Sequence, residues 1–557
     1  MNKENQKRKI LIGAAWPYAN GSLHLGHVSA LLGSDILARY FRLNGDSVLF
    51  VSGSDCHGTP IVLKAHDNGV HPSEIADKYH KEFTETLIEG LSFSYDIYTT
   101  TTTDNHHKVV QDLFADLYKK GFIYTKIEEL PYCVNCSRFL PDRYIEGECP
   151  ICQYDGARGD QCDSCGNLLD ANQLKKPRCK ICGQSPEWRE TEHFFLKLTA
   201  FRDNLIEWVK ESKKWRSNAR NFTLELLKQG LIDRAITRDT EWGVPVPFQG
   251  YESKRIYVWF EAVCGYLSAS KEWSSIQENN GKWEEFWYNN QAVHYYVHGK
   301  DNIPFHTIIW PAILLGDSKL HLPDRIVSSE YLTLEKKQFS KSRKWAVWLP
   351  DFLSKFDSET LRYYLVAGGS ETADADFSWE EYALRTNSEL IGNFGNYVHR
   401  VLSFVQKNFP EGVNFPEELD SLESDILQKA RNTFNSAGDH LEEANFKKGL
   451  RQIFELVEEG NRYFNTAAPW KTIKTDVKKA EGDLAVAVHV VKCLAILINP
   501  FLPKSSEKIY SQIEADSFRC KWGYPIHSFT KAKNPKPLYK RIEREDIERE
   551  RSLLGRG

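Results

Sequence analysis

A chain of 557 residues with 41% hydrophobic and 27% charged side chains has room for three or four domains and enough apolar material to bury a large core. Lys plus Arg number 72 against 76 Asp plus Glu, a net charge of −4, so any contact with nucleic acid has to come from a local basic face. Residues 1–9 lack the apolar core of a signal peptide, and the longest apolar stretch, 484–502, is interrupted by His489, Lys492 and Pro500. A spanning helix needs ~20 mostly uncharged residues, so a buried bundle helix is expected there, in a cytoplasmic protein with no membrane partner. In chain order, residues 9–15 form a short apolar run, 16–21 a loop, and 23–42 a segment of helical periodicity. Asn44-Gly45 turns the chain into a second strand over 47–51. Strand–helix–strand with short links predicts a parallel, doubly wound α/β sheet.

That pattern breaks near Glu128, where a cysteine-rich stretch begins, and resumes at about Thr191 with strands over 255–259, 294–298 and 325–328. From about Trp379 long amphipathic segments predict a helical bundle. Residues 531–537 look like a linker, and 542–551, densely charged with both signs, like a solvated helix. The expected organisation is a split Rossmann-like nucleotide-binding fold over 1–127 and 191–328, interrupted by an insertion over 128–190. A signature-loop and stem-contact region (329–378), a helical domain (379–530) and a C-terminal tail (531–557) follow.

Eight of the twelve cysteines fall into four Cys-x-x-Cys pairs: Cys133/Cys136, Cys149/Cys152, Cys162/Cys165 and Cys179/Cys182. Two thiolates three apart on a tight turn occupy neighbouring corners of a tetrahedron, so two zinc knuckles are expected rather than disulfides. Gly166 and Gly183 follow their second cysteines, as such turns favour. All-cysteine sites leave no open position, so both ions are structural. The spacing leaves nested and sequential pairing open.

His24-Leu25-Gly26-His27 lies at a loop-to-helix transition, where backbone N–H groups and the helix dipole favour phosphate. Imidazoles three apart share that face and can donate to phosphoryl oxygens, while Gly26 lets a nucleotide approach the backbone. Farther along, residues 336–343 form a basic loop in which Ser340, Lys341 and Ser342 suit the charge that builds on a departing pyrophosphate. Taken singly, the first motif also fits capping histidines and the second a solvated charge run. In this order, each beside a strand of a split nucleotide fold, the two resemble the HIGH and KMSKS signatures of class I aminoacyl-tRNA synthetases. Leu25 replaces Ile in the first. In the second, Phe339 is a frequent variant, and Gln338 stands where the family has a lysine, with Lys337 beside it.

Within that class the segments 15–21, 52–60, 257–262 with Gly265-Tyr266, and 299–306 resemble the methionyl-tRNA synthetase family, and the resemblance covers nearly the whole chain. It implies ATP-dependent attachment of L-methionine to tRNA(Met) through a methionyl-adenylate, with Mg2+ accompanying ATP. Methionine is unbranched and carries a polarisable sulfur, which suits an aromatic cage. The resemblance assigns that cage to Trp16, Tyr18, Trp259 and Tyr266, with Ala15, Ala262 and His306 completing the wall. Val263 stands where the family has proline. Asp55 is the partner for the substrate ammonium. The ATP site is assigned to His24, Gly26, His27, Gly299, Lys300, Asp301, Ser340, Lys341 and Ser342, with His24, His27 and Lys341 catalytic.

The resemblance also favours the nested zinc pairing: Cys149, Cys152, Cys162 and Cys165 on one ion, and Cys133, Cys136, Cys179 and Cys182 on the other. It places anticodon recognition at Asn387, Asn393, Pro469 and Trp470. An insertion this short lacks the editing domain of the isoleucyl, valyl and leucyl relatives, and a monomer is expected. Two other classes compete: a non-catalytic zinc-containing RNA-binding paralogue, and a small-molecule adenylyl or nucleotidyl transferase. The intact His24, His27, Asp55 and Lys341 oppose the first, and the helical bundle opposes the second.

Overall fold

The computed structural model describes residues 7–159, 162, 164–165, 169, 171–276, 282–340, 343–515 and 521–555. In β1 (Lys9–Ala14) the side chains alternate between two cores. Ile10, Ile12 and Ala14 pack on one side of the sheet and Leu11 on the other, which is why the strand is apolar on both faces. β1 pairs in parallel with β2 (Ser47–Ser54), and β2 with β3 (Ile97–Thr100). On its other edge β1 pairs in parallel with Val293–Gly299, which pairs in turn with Arg325–Ser329. The five strands therefore run Arg325–Ser329, Val293–Gly299, β1, β2, β3. Chain order reverses between β1 and Val293–Gly299, the topological switch point at which doubly wound sheets open a crevice beyond the strand ends. Helix α1 (Leu25–Leu43) leaves β1 at that crevice.

Strands Ile123–Cys133 and Glu187–Leu196 form an antiparallel ribbon running from the Ile123–Leu196 pair to the Tyr132–Glu187 pair. The cysteine-rich insertion hangs from its far end. The expected strand over 255–259 is only partly formed. Lys254–Ile256 is extended and pairs with Thr237–Asp239 outside the main sheet, whereas Val258–Glu261 is a helical turn. The Tyr257 carbonyl accepts from Phe260 N at 2.9 Å and from Glu261 N at 3.1 Å, which closes the chain into a turn there.

The long helices Ser421–Glu442, Phe446–Ala467 and Val477–Ile498 build the C-terminal bundle. Every residue from Leu484 to Ile498 is buried, and no described helix is long and apolar enough to cross a membrane. Residues 531–537 are not a free linker. Thr530–Ala532 pairs with Ile513–Ala515, and the backbone N–H groups of Lys533 and Lys536 donate to Gln512 at 2.9 and 2.8 Å. Helix Arg544–Leu553 is likewise docked rather than solvated. Ile547 and Glu550 are buried, Lys355 meets Glu550 at 2.9 Å, and Arg551 meets Glu380 at 2.7 Å. Beside the Arg544–Glu548 and Arg549–Asp546 pairs within the helix, Glu550 and Arg551 are partners for other elements, which spacing along one helix cannot reveal.

The first half of the catalytic fold and the bundle meet at Arg362, on the helix Ser358–Ala367, whose side chain is fully buried. Its guanidinium donates to the carbonyls of Phe501 (2.7 Å), Leu91 (3.1 Å) and Pro500 (3.1 Å), and pairs with Asp35 of α1 at 2.7 Å. Burial alone would push the Asp35 carboxyl up, but Arg362 and Arg39 outweigh it and hold it below its ordinary value. Asp35→Ala is expected to cost about 3–5 kcal/mol, because it strands a buried cation. Urea unfolding at neutral pH checks this. Since the folded-state pKa is the lower one, the difference should begin to shrink below about pH 4 and vanish as pH falls through the value in the folded protein.

Candidate active site

A cavity of about 560 Å³ occupies the crevice beyond β1, β2 and Val293–Gly299. Ala15, Trp16 and Tyr18 line it from the loop after β1, and Asp55 from the segment after β2. Trp259, Ala262 and Tyr266 come from the helical segment beyond Tyr257, and His306 from the turn after Val293–Gly299. All eight residues assigned to methionine thus face one space.

Missing side chains shape this wall. A Cβ at Gly53 would lie 2.5 Å from the Trp16 ring and one at Gly265 would lie 2.8 Å from it, so the indole is seated between two glycines. A Cβ at Gly13 of β1 would meet Tyr266 at 2.7 Å. Tyr18 and Trp259 are the exposed members, at 37% and 39%, as expected of rings at a mouth. Phe305, which sequence reasoning did not single out, packs edge-on to Trp259 at 4.9 Å.

At the inner end, His306 Nδ1 donates to the Asn302 carbonyl at 2.9 Å, so Nε2 is the acceptor for the Tyr266 hydroxyl at 2.7 Å. Burial lowers His306 to about 4, which keeps this pair neutral.

Two backbone hydrogen bonds zip the first two loops together: Asp55 N to Pro17 O at 2.9 Å, and Ala19 N to Asp55 O at 2.8 Å. They set Tyr18 beside Asp55. The Asp55 side chain is 3% exposed, accepts from His57 N at 3.3 Å, and has no ion-pair partner among the described residues. Burial pushes its carboxyl well above the ordinary value, and the charge of Glu261 adds to the shift. A carboxylate held in this way gains most from a cation delivered by a ligand.

His24 and His27 cap α1 reciprocally. Gly26 N donates to His24 Nδ1 at 3.2 Å, and His24 N donates to His27 Nδ1 at 3.0 Å. With both Nδ1 atoms accepting, each neutral ring carries its proton on Nε2. The capping and phosphate-donor readings are therefore compatible in the same side chains. A Cβ on Gly26 would press on the His24 ring at 3.1 Å.

The second motif lies against the first. Phe339 stacks on His24 at 4.6 Å, and Leu25 N and Leu349 N exchange bonds with Val347 O and Leu23 O. Ser340 and Trp345 pair through both backbone groups at 2.9 Å, and Lys337 sits 4.3 Å over the Trp345 ring. Lys341 and Ser342 lie outside the described residues.

Of the other residues assigned to ATP, His27 and Asp301 line the cavity. Gly299 lacks a Cβ where one would meet Asp301 Oδ1 at 2.7 Å. Lys300 is turned to other partners, with its ammonium at 2.7 Å from Glu330, 2.8 Å from Asp374 and 4.0 Å over Tyr331.

Two groups escaped sequence reasoning. Arg143, on the short turn Asp142–Tyr144 of the insertion, also lines the cavity. Glu261, fully buried, meets His57 Nδ1 and His106 Nε2, each at 2.9 Å. A charged residue directly after Phe260 in an apolar segment was the available signal for Glu261.

The cysteines form two clusters, Cys133 with Cys136, Cys179 and Cys182, and Cys149 with Cys152, Cys162 and Cys165, each with sulfurs all within 4.8 Å of one another. Sulfur–sulfur separations of 3.4 Å (Cys133–Cys182), 3.9 Å (Cys136–Cys179), 3.9 Å (Cys149–Cys165) and 3.6 Å (Cys152–Cys162) match the ~3.8 Å edge of a tetrahedron with ~2.3 Å Zn–S bonds. They are far from the ~2.05 Å of a disulfide. The clusters follow the nested pairing, and the thiols fit zinc.

In the helical region, Asn393 Oδ1 accepts from Asn461 at 2.8 Å, and Trp470 packs against Phe464 at 5.6 Å. Asn461 and Phe464 are three apart on one helix, so Asn393 and Trp470 gather at its C-terminal end, with Pro469 buried beside them. Arg400 lies 5.3 Å over the Phe464 ring that Trp470 meets edge-on. Asn387 is not part of this group. Its amide is occupied by the Ile542 backbone, at 2.8 Å as donor and 3.0 Å as acceptor.

A family model described as tRNA synthetases class I (M) matches residues 10–402, and one described as the anticodon binding domain of methionyl tRNA ligase matches residues 409–549. Fold and site thus define a class I tRNA synthetase. Among similar proteins, a methionine–tRNA ligase of Dehalococcoides mccartyi (strain CBDB1) is 48% identical over 98% of this chain and 99% of that one. A methionine–tRNA ligase of Bacillus mycoides (strain KBAB4) is 46% identical over 97% of this chain and 98% of its own length. The solved structure of Mycobacterium tuberculosis methionyl-tRNA synthetase in complex with methionyl-adenylate superposes with a TM-score of 0.79 at 25% identity, covering 96% of this chain and all of that one. The chain belongs to the methionyl-tRNA synthetase family.

Tyr266→Phe should leave His306 Nε2 buried without its donor and lower stability by about 1–3 kcal/mol, read from chemical denaturation against wild type.

Proposed function

We propose that this enzyme joins L-methionine to tRNA(Met) in two steps within the one cavity. The observation that carries the proposal is the buried Asp55 carboxylate, which has no cationic partner among the described residues and faces an aromatic-lined space. Asp55 receives the amino-acid ammonium, while Trp16, Tyr18, Trp259 and Tyr266 enclose the thioether, with Ala15, Ala262 and the neutral His306 completing the pocket. Held there, the methionine carboxylate attacks the α-phosphate of ATP in line, giving methionyl-adenylate and pyrophosphate. The terminal adenosine of the tRNA then attacks the adenylate and releases AMP.

No covalent enzyme nucleophile is required, so catalysis is positioning and charge stabilisation. His24 and His27 donate from Nε2 at the helix N-terminus to phosphoryl oxygens, with Gly26 allowing close approach. Asp301, beside Gly299, is the group for the ribose, and the loop bearing Ser340, Lys341 and Ser342 neutralises the leaving pyrophosphate. Lys300 supports this wall through Glu330 and Asp374. Mg2+ bound with ATP would supply further neutralisation of its phosphate charge. The two four-cysteine clusters would hold structural zinc, which fixes the insertion and Arg143 over the cavity. Trp470, with Asn393, Pro469 and Arg400, forms the face for anticodon bases. Asn387 contributes by anchoring the tail at Ile542. The reaction belongs to the compartment of translation, the cytoplasm.

Methionine-dependent ATP–pyrophosphate exchange tests the reaction; exchange with another amino acid and none with methionine would overturn it. Asp55→Asn should raise the methionine KM about ten- to a hundredfold, the equivalent of a charge-assisted hydrogen bond. Trp470→Ala should weaken tRNA use roughly five- to a hundredfold by loss of base stacking, leaving the exchange reaction intact. Metal analysis of purified protein should find two zinc ions per chain. Cys133→Ser and Cys149→Ser should each leave about one, as independent closed sites require.

A further inference from the structure

Beneath Asp55 lies a buried network that the two-step reaction leaves without a task. Glu261 closes the helical turn that carries Trp259 and leads into Ala262. Its two oxygens are taken by imidazoles from different elements, His57 Nδ1 and His106 Nε2, each at 2.9 Å. His106 continues to Ser268 Oγ at 2.8 Å, and its ring lies 6.2 Å from that of Trp16. His57 touches both carboxylates, with its ring on Glu261 and its backbone N–H on Asp55 at 3.3 Å. Three walls of the amino-acid pocket are thereby tied to one buried anion.

We propose that Glu261 is a positioning residue of the amino-acid site. It is a second buried carboxylate that acts through His57 and through its field on Asp55, fixing where the substrate ammonium sits and the pH at which it is accepted. The inference rests on the methionine reading of that cavity and extends it.

The surrounding groups give this a definite sign. From the segment after β2, Glu261 faces Asp55, Cys56 and His57, and from the helix Asp104–Lys119 it faces His106 and His107. Tyr18 from the first loop and Cys264 from its own segment complete the set. Burial pushes Cys56 and Cys264 far above their ordinary values, so they stay neutral. Burial would also raise Glu261, but the His57 and His106 imidazoles outweigh it and hold it at about 2. Asp55, raised by burial and then by that persistent charge, is the carboxyl of the two that takes up a proton first as pH falls. Substrate amine and proton therefore compete for Asp55, and Glu261 sets the terms: it raises the proton affinity, and it adds a longer-range attraction for the ammonium.

The test is the pH profile of kcat/KM for methionine in ATP–pyrophosphate exchange, measured on the full-length enzyme. Glu261→Gln keeps the size of the side chain but removes the charge. Its acid limb should move down by roughly one pH unit, and the methionine KM at neutral pH should rise, with the change falling on that KM rather than on kcat or the ATP KM. Glu261→Asp keeps the charge and should keep the wild-type limb. An unmoved limb in Glu261→Gln, an aspartate variant displaced as far as the glutamine one, or parallel losses in kcat and ATP KM would each overturn the proposal.

If Glu261→Gln fails to fold, His106→Asn serves instead. By removing one of the groups that hold Glu261 ionised, it brings a second proton into the limb and steepens it, and a limb of unchanged slope and position would overturn the proposal. A wild-type chain inactive with methionine would overturn the functional reading and this inference together, whereas an active wild type with an unmoved limb overturns only the inference.

Discussion

A single buried guanidinium determines how the parts of this enzyme meet. Arg362 has no exposed surface, and its donors are shared among α1, the segment ending at Leu91, and the bundle at Pro500 and Phe501. A cation removed from water must find all its partners at once, or the burial is not tolerated. The requirement fixes α1 against the helical domain, and α1 is the element whose N-terminus carries His24 and His27. The end of that helix that carries His24 and His27 and the bundle that bears Trp470 are therefore referred to one point. A rigid frame of this kind is what a reaction without a covalent nucleophile needs, because its rate depends on where groups are held.

Much of this was legible in the chain. The strand–helix–strand rhythm of residues 9–51 is visible because β1 is apolar on both faces and α1 has a strong period. The eight cysteines were legible because ligand spacing is local, although their pairing is a three-dimensional fact. The amino-acid pocket came from resemblance rather than from periodicity. What escaped depends on contacts between distant segments. Glu261 and His57 lie within recognised segments, but their pairing spans more than two hundred residues. Arg143 reaches the cavity only because the insertion folds back over it. Residues 255–259 carry strand-forming side chains, yet Tyr257 ends the extended run and starts a turn. The charged tail misled for a related reason: its partners Lys355, Glu380 and Glu335 are on other elements. Asn387, assigned to RNA, is spent on holding that tail.

The electrostatics of the site divide into two regimes. At the helix N-terminus, reciprocal capping makes two neutral rings into donors of fixed tautomer, so that end is set by hydrogen-bond geometry. Beyond the first two loops, Asp55 and Glu261 place one titratable and one persistent carboxylate in a dry setting, so that end is governed by charge. On the proposed function, methionine spans both, its ammonium at the charged end and its carboxylate toward the phosphates. Between the two ends lie rings that offer shape and polarisability with little charge.

The seat of Trp16 between Gly53 and Gly265 carries a different implication. The outline of the pocket is recorded in atoms that are missing from the sheet and helix behind it. Any residue other than glycine at either place would displace the indole without ever touching a ligand. Substrate selection is in this sense inherited from the scaffold. Change at the visible surface of the cavity can tune affinity, but a different pocket shape would require rewriting the layer beneath.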